Sequence, residues 1–141
     1  MNIGAMPSLV QNPSRLTSFL AFDFGIRRTG VASGNRMAAM ATPLQTIQDT
    51  GNARFDHIAQ LLKEWQPDAL VVGVPYHPDG AVHDNTLKAQ KFGRQLAGRF
   101  GLPVFEVDER YSTTEALSQC AKDPDAIAAC IILEQFLRSI Q

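Results

Sequence analysis

A chain of 141 residues suits a single domain, long enough to bury roughly two-thirds of its unfolded surface. Hydrophobic residues at 45% and charged residues at 19% exclude a disordered chain. Thirteen Lys+Arg against 14 Asp+Glu leave a net charge of −1, which excludes a generally basic surface, so contact with nucleic acid must come from a local patch or through bound cations.

Residues 1–16 (MNIGAMPSLVQNPSRL) follow no clean period and hold two prolines and two asparagines; they read as a tail or extension, leaving 17–141 as one domain. They lack the basic start and long apolar run of a signal peptide, and the apolar run near Leu20 is broken by Asp23. The expectation is a cytoplasmic protein with no membrane segment. Residues 18–24 (SFLAFDF) and 29–33 (TGVAS) read as two strands of a hairpin, with Gly25 to Arg28 between them. A third short strand fits Ala39 to Ile47, edged by Pro43. Phe55, Ile58, Ala59 and Leu62 then recur at i, i+3, i+4 and i+7, predicting a helix from about Asn52 to Trp65 that Pro67 ends.

DALVVGVP is a continuous apolar run suited to the centre of a parallel sheet. The Pro/Gly-rich loop PYHPDGAVHDN follows, and then a helix from Thr86 to Phe100 with Leu87, Phe92, Leu96 and Phe100 inward, stopped by Gly101. VFEVD is a further strand. Ser112-Thr113-Thr114-Glu115 has the capping-box pattern that opens a helix. A last helix follows Pro124 and runs to about Arg138. Cys120 and Cys130 show no metal-ligand spacing and read as small apolar packing residues. The order β-β-β-α-β-α-β-α-α implies an α/β fold: a mixed five-stranded sheet, three antiparallel strands then two parallel, flanked by helices.

Parallel strands of such a sheet end on one side, where sites form. Asp23 lies near the end of the first strand, Asp108 and Glu109 end the last, and Asp125 starts the final helix. Each acid also has a plain structural reading: Asp23 as a turn former, Asp108 paired with Arg110, Asp125 as a helix cap. Their convergence is more informative, because two carboxylates about 5 Å apart repel by roughly 3 kcal/mol at an effective dielectric near 20. Such a cluster needs protons or cations, and like-charge repulsion should raise at least one carboxylate pKa. Oxygen ligands without His or Cys suit Mg2+ or Mn2+. Gly25 would let a phosphate approach the backbone or simply serve a hairpin turn. Arg27, Arg28 and Arg36 are candidate phosphate contacts. Lys88, Lys91 and Arg94 recur three apart on one helix, as a basic stripe or a solvated face. His77 and His83 in the glycine loop are weak candidates for a proton shuttle.

Four stretches in order, AFDFGIRRTGVASG, LLKEWQPDALVVGVPYHPDG, VDERYSTTEA and DPDAIAACIILEQFL, resemble the YqgF family over about residues 18–138. Members of that family are named Holliday junction resolvases and pre-16S ribosomal RNA nucleases. The resemblance implies an RNase H-like fold and divalent-metal-dependent cleavage of structured nucleic acid. The family's metal-binding acids match Asp23, Glu109 and Asp125, with Asp108 in support of Glu109. Arg110, Ser112 and Thr113 belong to the same family motif, which implies a supporting or phosphate-contacting role. One departure is the short SQCAKDPD segment, where family members usually carry a longer basic, glycine-containing loop; it bears on substrate grip at that side.

The leading expectation is therefore a two-metal-ion endonuclease that processes the 5′ end of pre-16S ribosomal RNA, working as a monomer or homodimer. A junction-resolving DNase is the alternative and would need a symmetric dimer. A non-catalytic nucleic-acid-binding relative is a further one. The Asp-x-Gly and Thr-Gly hairpin also resembles the phosphate loop of the actin, hexokinase and Hsp70 superfamily, but that fold needs two such domains.

Overall fold

The computed structural model describes residues 16–38, 40–77, 79–109 and 123–140. Among them the elements run β1 (Ser18–Phe24), β2 (Thr29–Asn35), β3 (Met40–Ile47), α1 (Gly51–Trp65), β4 (Ala69–Val74), α2 (Asp84–Phe100), β5 (Val104–Asp108) and α3 (Pro124–Ser139). The strands form one sheet in the order β3-β2-β1-β4-β5. β1 to β3 are antiparallel neighbours, whereas β4 pairs with β1 and β5 with β4 in parallel, as the strand pattern predicts. The helix expected from Ser112 lies outside the described residues.

Side-chain direction alternates along the strands and sends each half of the side chains to one helical layer. Leu20, Phe22, Val31, Leu70 and Val72 point to α1 and α2, where Phe55, Ile58, Phe92 and Leu96 complete one core. Phe19, Ala21, Val71, Phe105 and Val107 point the other way and meet Ile132, Leu133, Phe136 and Leu137 of α3. Leu16 packs on the rim of this second core. β4 is buried on both faces along its whole length, which is why it reads as an unbroken apolar run. Pro43 sits on β3 at the sheet edge opposite Ala32, and an irregularity there leaves Leu44 as an extra residue between the Pro43 and Gln45 pairings.

Two helical faces differ from the expected ones. α2 begins at Asp84, and His83 caps it reciprocally with Thr86. The inward stripe is then Thr86, Ala89, Phe92, Gly93, Leu96 and Ala97, while Leu87 turns outward and is 56% exposed. Each residue adds about 100° around a helix, and with Thr86, Ala89, Phe92 and Leu96 inward Leu87 falls on the outer side. Thr86 occupies it because its hydroxyl donates to the Pro75 carbonyl and accepts from the His83 amide. On α1 the buried stripe is Arg54, Phe55, Ile58 and Leu61; Ala59 is exposed. Buried Cys130 packs against Ala32 and Ala129 as a small apolar residue.

Candidate active site

The carboxyl ends of β1 and β5 and the N-terminus of α3 reach the same edge of the sheet. Asp23 is the sixth residue of β1 and points to the α3 face, alternating with Phe22 on the opposite core. The antiparallel ladder to β2 fixes its backbone, with Gly30 as its partner. Glu109 follows β5, and its amide donates to the Val74 carbonyl at 3.2 Å, so the ladder continues to the residue that carries the acid. Asp125 stands in the first turn of α3. Asp123, not Asp125, caps that helix: its carboxylate accepts from the Ala126 amide at 3.3 Å, and Pro124 occupies the first turn. Asp125 is thereby left free of capping duty and benefits from the helix dipole.

Glu109 and Asp125 line one open cavity of about 630 Å³, together with Phe24 to Arg28, Pro75 and Asn85. The charge of Asp23 reaches both acids. Its carboxyl is pushed up to about 7, first by burial and then by the negative charge of Asp125. Glu109 is pushed up to about 8, first by burial, then by Asp23 and then by Asp108. Raised carboxylate pKa values are what the sequence predicts, but desolvation leads and like-charge repulsion is second. Among the described residues no three Asp, Glu, His or Cys side chains stand close enough to form a ready metal-holding group.

The supporting residues divide. Arg28 Nε lies 3.4 Å from Asp125 Oδ2, an exposed ion pair on the cavity wall, and Arg27 lines the same wall. Gly25 lines it too, but a methyl added there would lie only 2.6 Å from the Arg28 carbonyl oxygen. The tight hairpin therefore accounts for this glycine. Asp108 is exposed at the end of β5, where it acts on Glu109 through charge. Lys88, Lys91 and Arg94 are exposed along α2 and do not line the cavity. The His77 and His83 ring centroids lie 4.6 Å apart, and His83 serves as the α2 cap. Arg110, Ser112 and Thr113 lie outside the described residues.

Two contributors escape sequence reading. Arg54 is only 6% exposed, and its Nη2 donates to the Ile26 carbonyl at 2.6 Å while Nε donates to the Asp49 carbonyl at 3.2 Å. Its guanidinium stacks over Phe24, 4.8 Å from the ring centroid, so a buried cation clamps the hairpin that carries Arg27 and Arg28. The signal is an arginine in the i, i+4, i+7 stripe with Ile58 and Leu61. Asn85, which also lines the cavity, has no such signal.

A family model described as RuvX, Holliday junction resolvase, matches residues 17–139 of the chain. A protein of Albidiferax ferrireducens, provisionally named a pre-16S rRNA nuclease, is 68% identical over 127 residues, covering 90% of this chain and 81% of its own. One of Polaromonas sp., with the same provisional name, is 63% identical over 140 residues and 99% of both chains. Among solved structures, Thermus thermophilus RuvC in complex with a Holliday junction substrate superposes with a TM-score of 0.57 at 16% identity, over 87% of this chain and 94% of that one. At that identity the likeness concerns the fold, which is RNase H-like.

Proposed function

The chain belongs to the RuvX family of Holliday junction resolvases, and on that premise we propose that it is a nuclease that hydrolyses phosphodiester bonds in structured nucleic acid, with precursor 16S ribosomal RNA as its substrate in the cytoplasm. The observation that supports the site assignment is electrostatic: Asp23, half-buried at the sheet edge, feels the charge of Asp125 and acts on Glu109, and those two acids line one cavity. Such a cluster is unfavourable unless something positive or a proton occupies it.

The donor chemistry suits a hard divalent cation, and the three carboxylates would have to draw closer to hold one. All three side chains offer carboxylate oxygen, and no His or Cys ligand lines the cavity among the described residues. Asp23, Glu109 and Asp125 would hold Mg2+ or Mn2+, which when bound activates a water and stabilises the leaving oxygen. The residues of the chain supply the rest. Rigid β1 and the β4–β5 ladder fix two of the acids, and the capped first turn of α3 fixes the third. Asp23 and Glu109 must each give up a proton before they can act as ligands, so metal binding releases protons and is favoured by rising pH. Arg28, now on Asp125, is placed to move to a substrate phosphate, with Arg27 beside it. Arg110, Ser112 and Thr113 are assigned the supporting role that the family motif implies. Lys88 and Lys91 are assigned to peripheral contacts with the phosphate backbone.

A second reading, symmetric cutting of four-way DNA junctions, is favoured by the family description and requires a homodimer; RNA processing needs only one copy. The test offers a labelled precursor-rRNA fragment and a four-way junction separately, with Mg2+ or Mn2+, and measures the oligomeric state by ultracentrifugation. Cleavage of the RNA with the junction left whole is expected. Paired junction nicks by a dimer, with the RNA uncut, would replace this reading by the resolvase one.

A further inference from the structure

Asp23 occupies an unusual row of the sheet. Its partner across the antiparallel ladder is Gly30, and Gly30 in turn faces Thr46 on β3. On the other side β4 runs parallel in the register Phe22–Val72, so Gly73 stands next to Asp23, and Gly73 faces Val107 on β5. The row reads Thr46, Gly30, Asp23, Gly73, Val107, with the acid between two glycines. Glycine weakens a strand interior, and close approach of another backbone or side chain is a usual reason to find it there. Neither glycine has a positive φ, so backbone conformation does not require them.

Space does. A methyl on Gly30 would lie 1.8 Å from the Asp125 carbonyl oxygen and 2.1 Å from its carbonyl carbon. A methyl on Gly73 would lie 2.3 Å from Ile132 Cδ1 and 2.8 Å from Glu109 Oε2. The first turn of α3 thus sinks into the gap at one glycine, and the Glu109 carboxylate reaches over the other. Thr46, at the end of the row, donates its hydroxyl to Asp123 Oδ1, the cap of the same helix, which also accepts from the Ala126 amide.

We infer that Gly30, Gly73 and Thr46 are positioning residues that set the three acids around one edge of the sheet: Gly30 and Thr46 seat the first turn of α3, and with it Asp125, toward Asp23, and Gly73 admits Glu109 from the opposite side. This rests on the reading of Asp23, Glu109 and Asp125 as the metal-holding acids. The two glycines differ in how hard they constrain the site. At Gly73 the obstructing atoms are ends of flexible side chains, so an added methyl turns Ile132 and Glu109 aside. At Gly30 the obstruction is backbone. To clear the 3.0 Å below which such contacts essentially do not occur, the 1.8 Å approach must widen by at least 1.2 Å. A shift of that size in a catalytic group costs on the order of 100-fold in rate.

The test measures Mn2+ binding by electron paramagnetic resonance, and kcat and KM for precursor-rRNA cleavage, on variants shown to be folded by near-UV circular dichroism. Gly30→Ala is expected to lower kcat about 100-fold and Mn2+ affinity about 10- to 100-fold, with KM unchanged. Thr46→Val shifts both in the same direction, and Thr46→Ser restores them. Gly98→Ala, on an exposed helical face with nothing within 4 Å of the added methyl, behaves as wild type. A folded Gly30→Ala protein that binds Mn2+ and cuts as wild type overturns the inference. If Gly30→Ala does not fold, the Thr46 pair decides, and wild-type behaviour of Thr46→Val overturns it equally. Asp23→Asn separates the layers. If it loses binding and cleavage while Gly30→Ala loses neither, only the positioning inference fails; if it keeps both, the metal-site reading fails first.

Discussion

Replacing Asp23 by asparagine is expected to stabilise the metal-free protein at alkaline pH. The Asp23 carboxyl titrates near 7 in the fold, against an ordinary value of 3.8. The folded state therefore holds this proton more tightly than the unfolded chain does. The stability it contributes is fully present below the ordinary value and is lost as pH rises through about 7. At 1.36 kcal/mol per pKa unit, the ionised acid destabilises the fold by up to about 4 kcal/mol at pH 8, and by less than about 1 kcal/mol at pH 4. Asparagine keeps the shape without the charge and relieves Glu109, which Asp23 also pushes up. Allowing for partial solvation of the site, the gain is about 2–4 kcal/mol, or roughly 6–12 °C in Tm for a domain of this size. Calorimetric melts in EDTA between pH 4.5 and 8 measure it. The wild-type Tm should fall across that range while the Asp23→Asn curve stays flatter and crosses above it. An Asp23→Asn protein less stable than wild type at pH 8, or a difference that does not change with pH, would refute the burial and charge argument.

Three further outcomes follow from the structure. Arg54→Met removes the clamp on the hairpin and leaves the Ile26 and Asp49 carbonyls without their donor; a loss of about 2–3 kcal/mol in urea unfolding and weaker RNA binding are expected, and full RNA affinity would contradict the clamp. The Thr29 hydroxyl is buried with no hydrogen-bond partner among the described residues, so Thr29→Val should add about 1 kcal/mol, read by the same unfolding curves; destabilisation would mean the hydroxyl has a role. Burial, and then the charge of Glu134, push the Cys130 thiol up to about 12, so alkylation at pH 8, mapped by mass spectrometry, should reach Cys130 only after unfolding.

The sheet was legible in the sequence because its cues are local. SFLAFDF and TGVAS are strand-length segments on either side of a four-residue hairpin loop, and ALVVGV is apolar throughout because it is covered on both faces. That Asp23, Glu109 and Asp125 should lie toward one edge was an expectation from topology, since parallel strands end together, and among the described residues they do not close into a metal-holding group. Helical phase was not. Whether Leu87 or Thr86 faces inward depends on the Pro75 carbonyl, a partner 11 residues from Thr86 that no local pattern announces. The raised carboxylate values were foreseen, yet their leading cause, burial, depends on how closely α3 packs over β1. That packing in turn depends on Gly30 and Gly73. In the sequence they are ordinary strand glycines, and only the register of three strands places them on either side of Asp23.

The most direct measurement is cleavage of a labelled precursor-rRNA fragment by wild type, Asp23→Asn, Glu109→Gln and Asp125→Asn, each with Mg2+, with Mn2+ and with EDTA. A metal-dependent carboxylate nuclease cuts only as wild type and only with a divalent ion, and all three variants fall to background. Cutting in EDTA, or an Asp23→Asn protein that cuts at the wild-type rate, would contradict it.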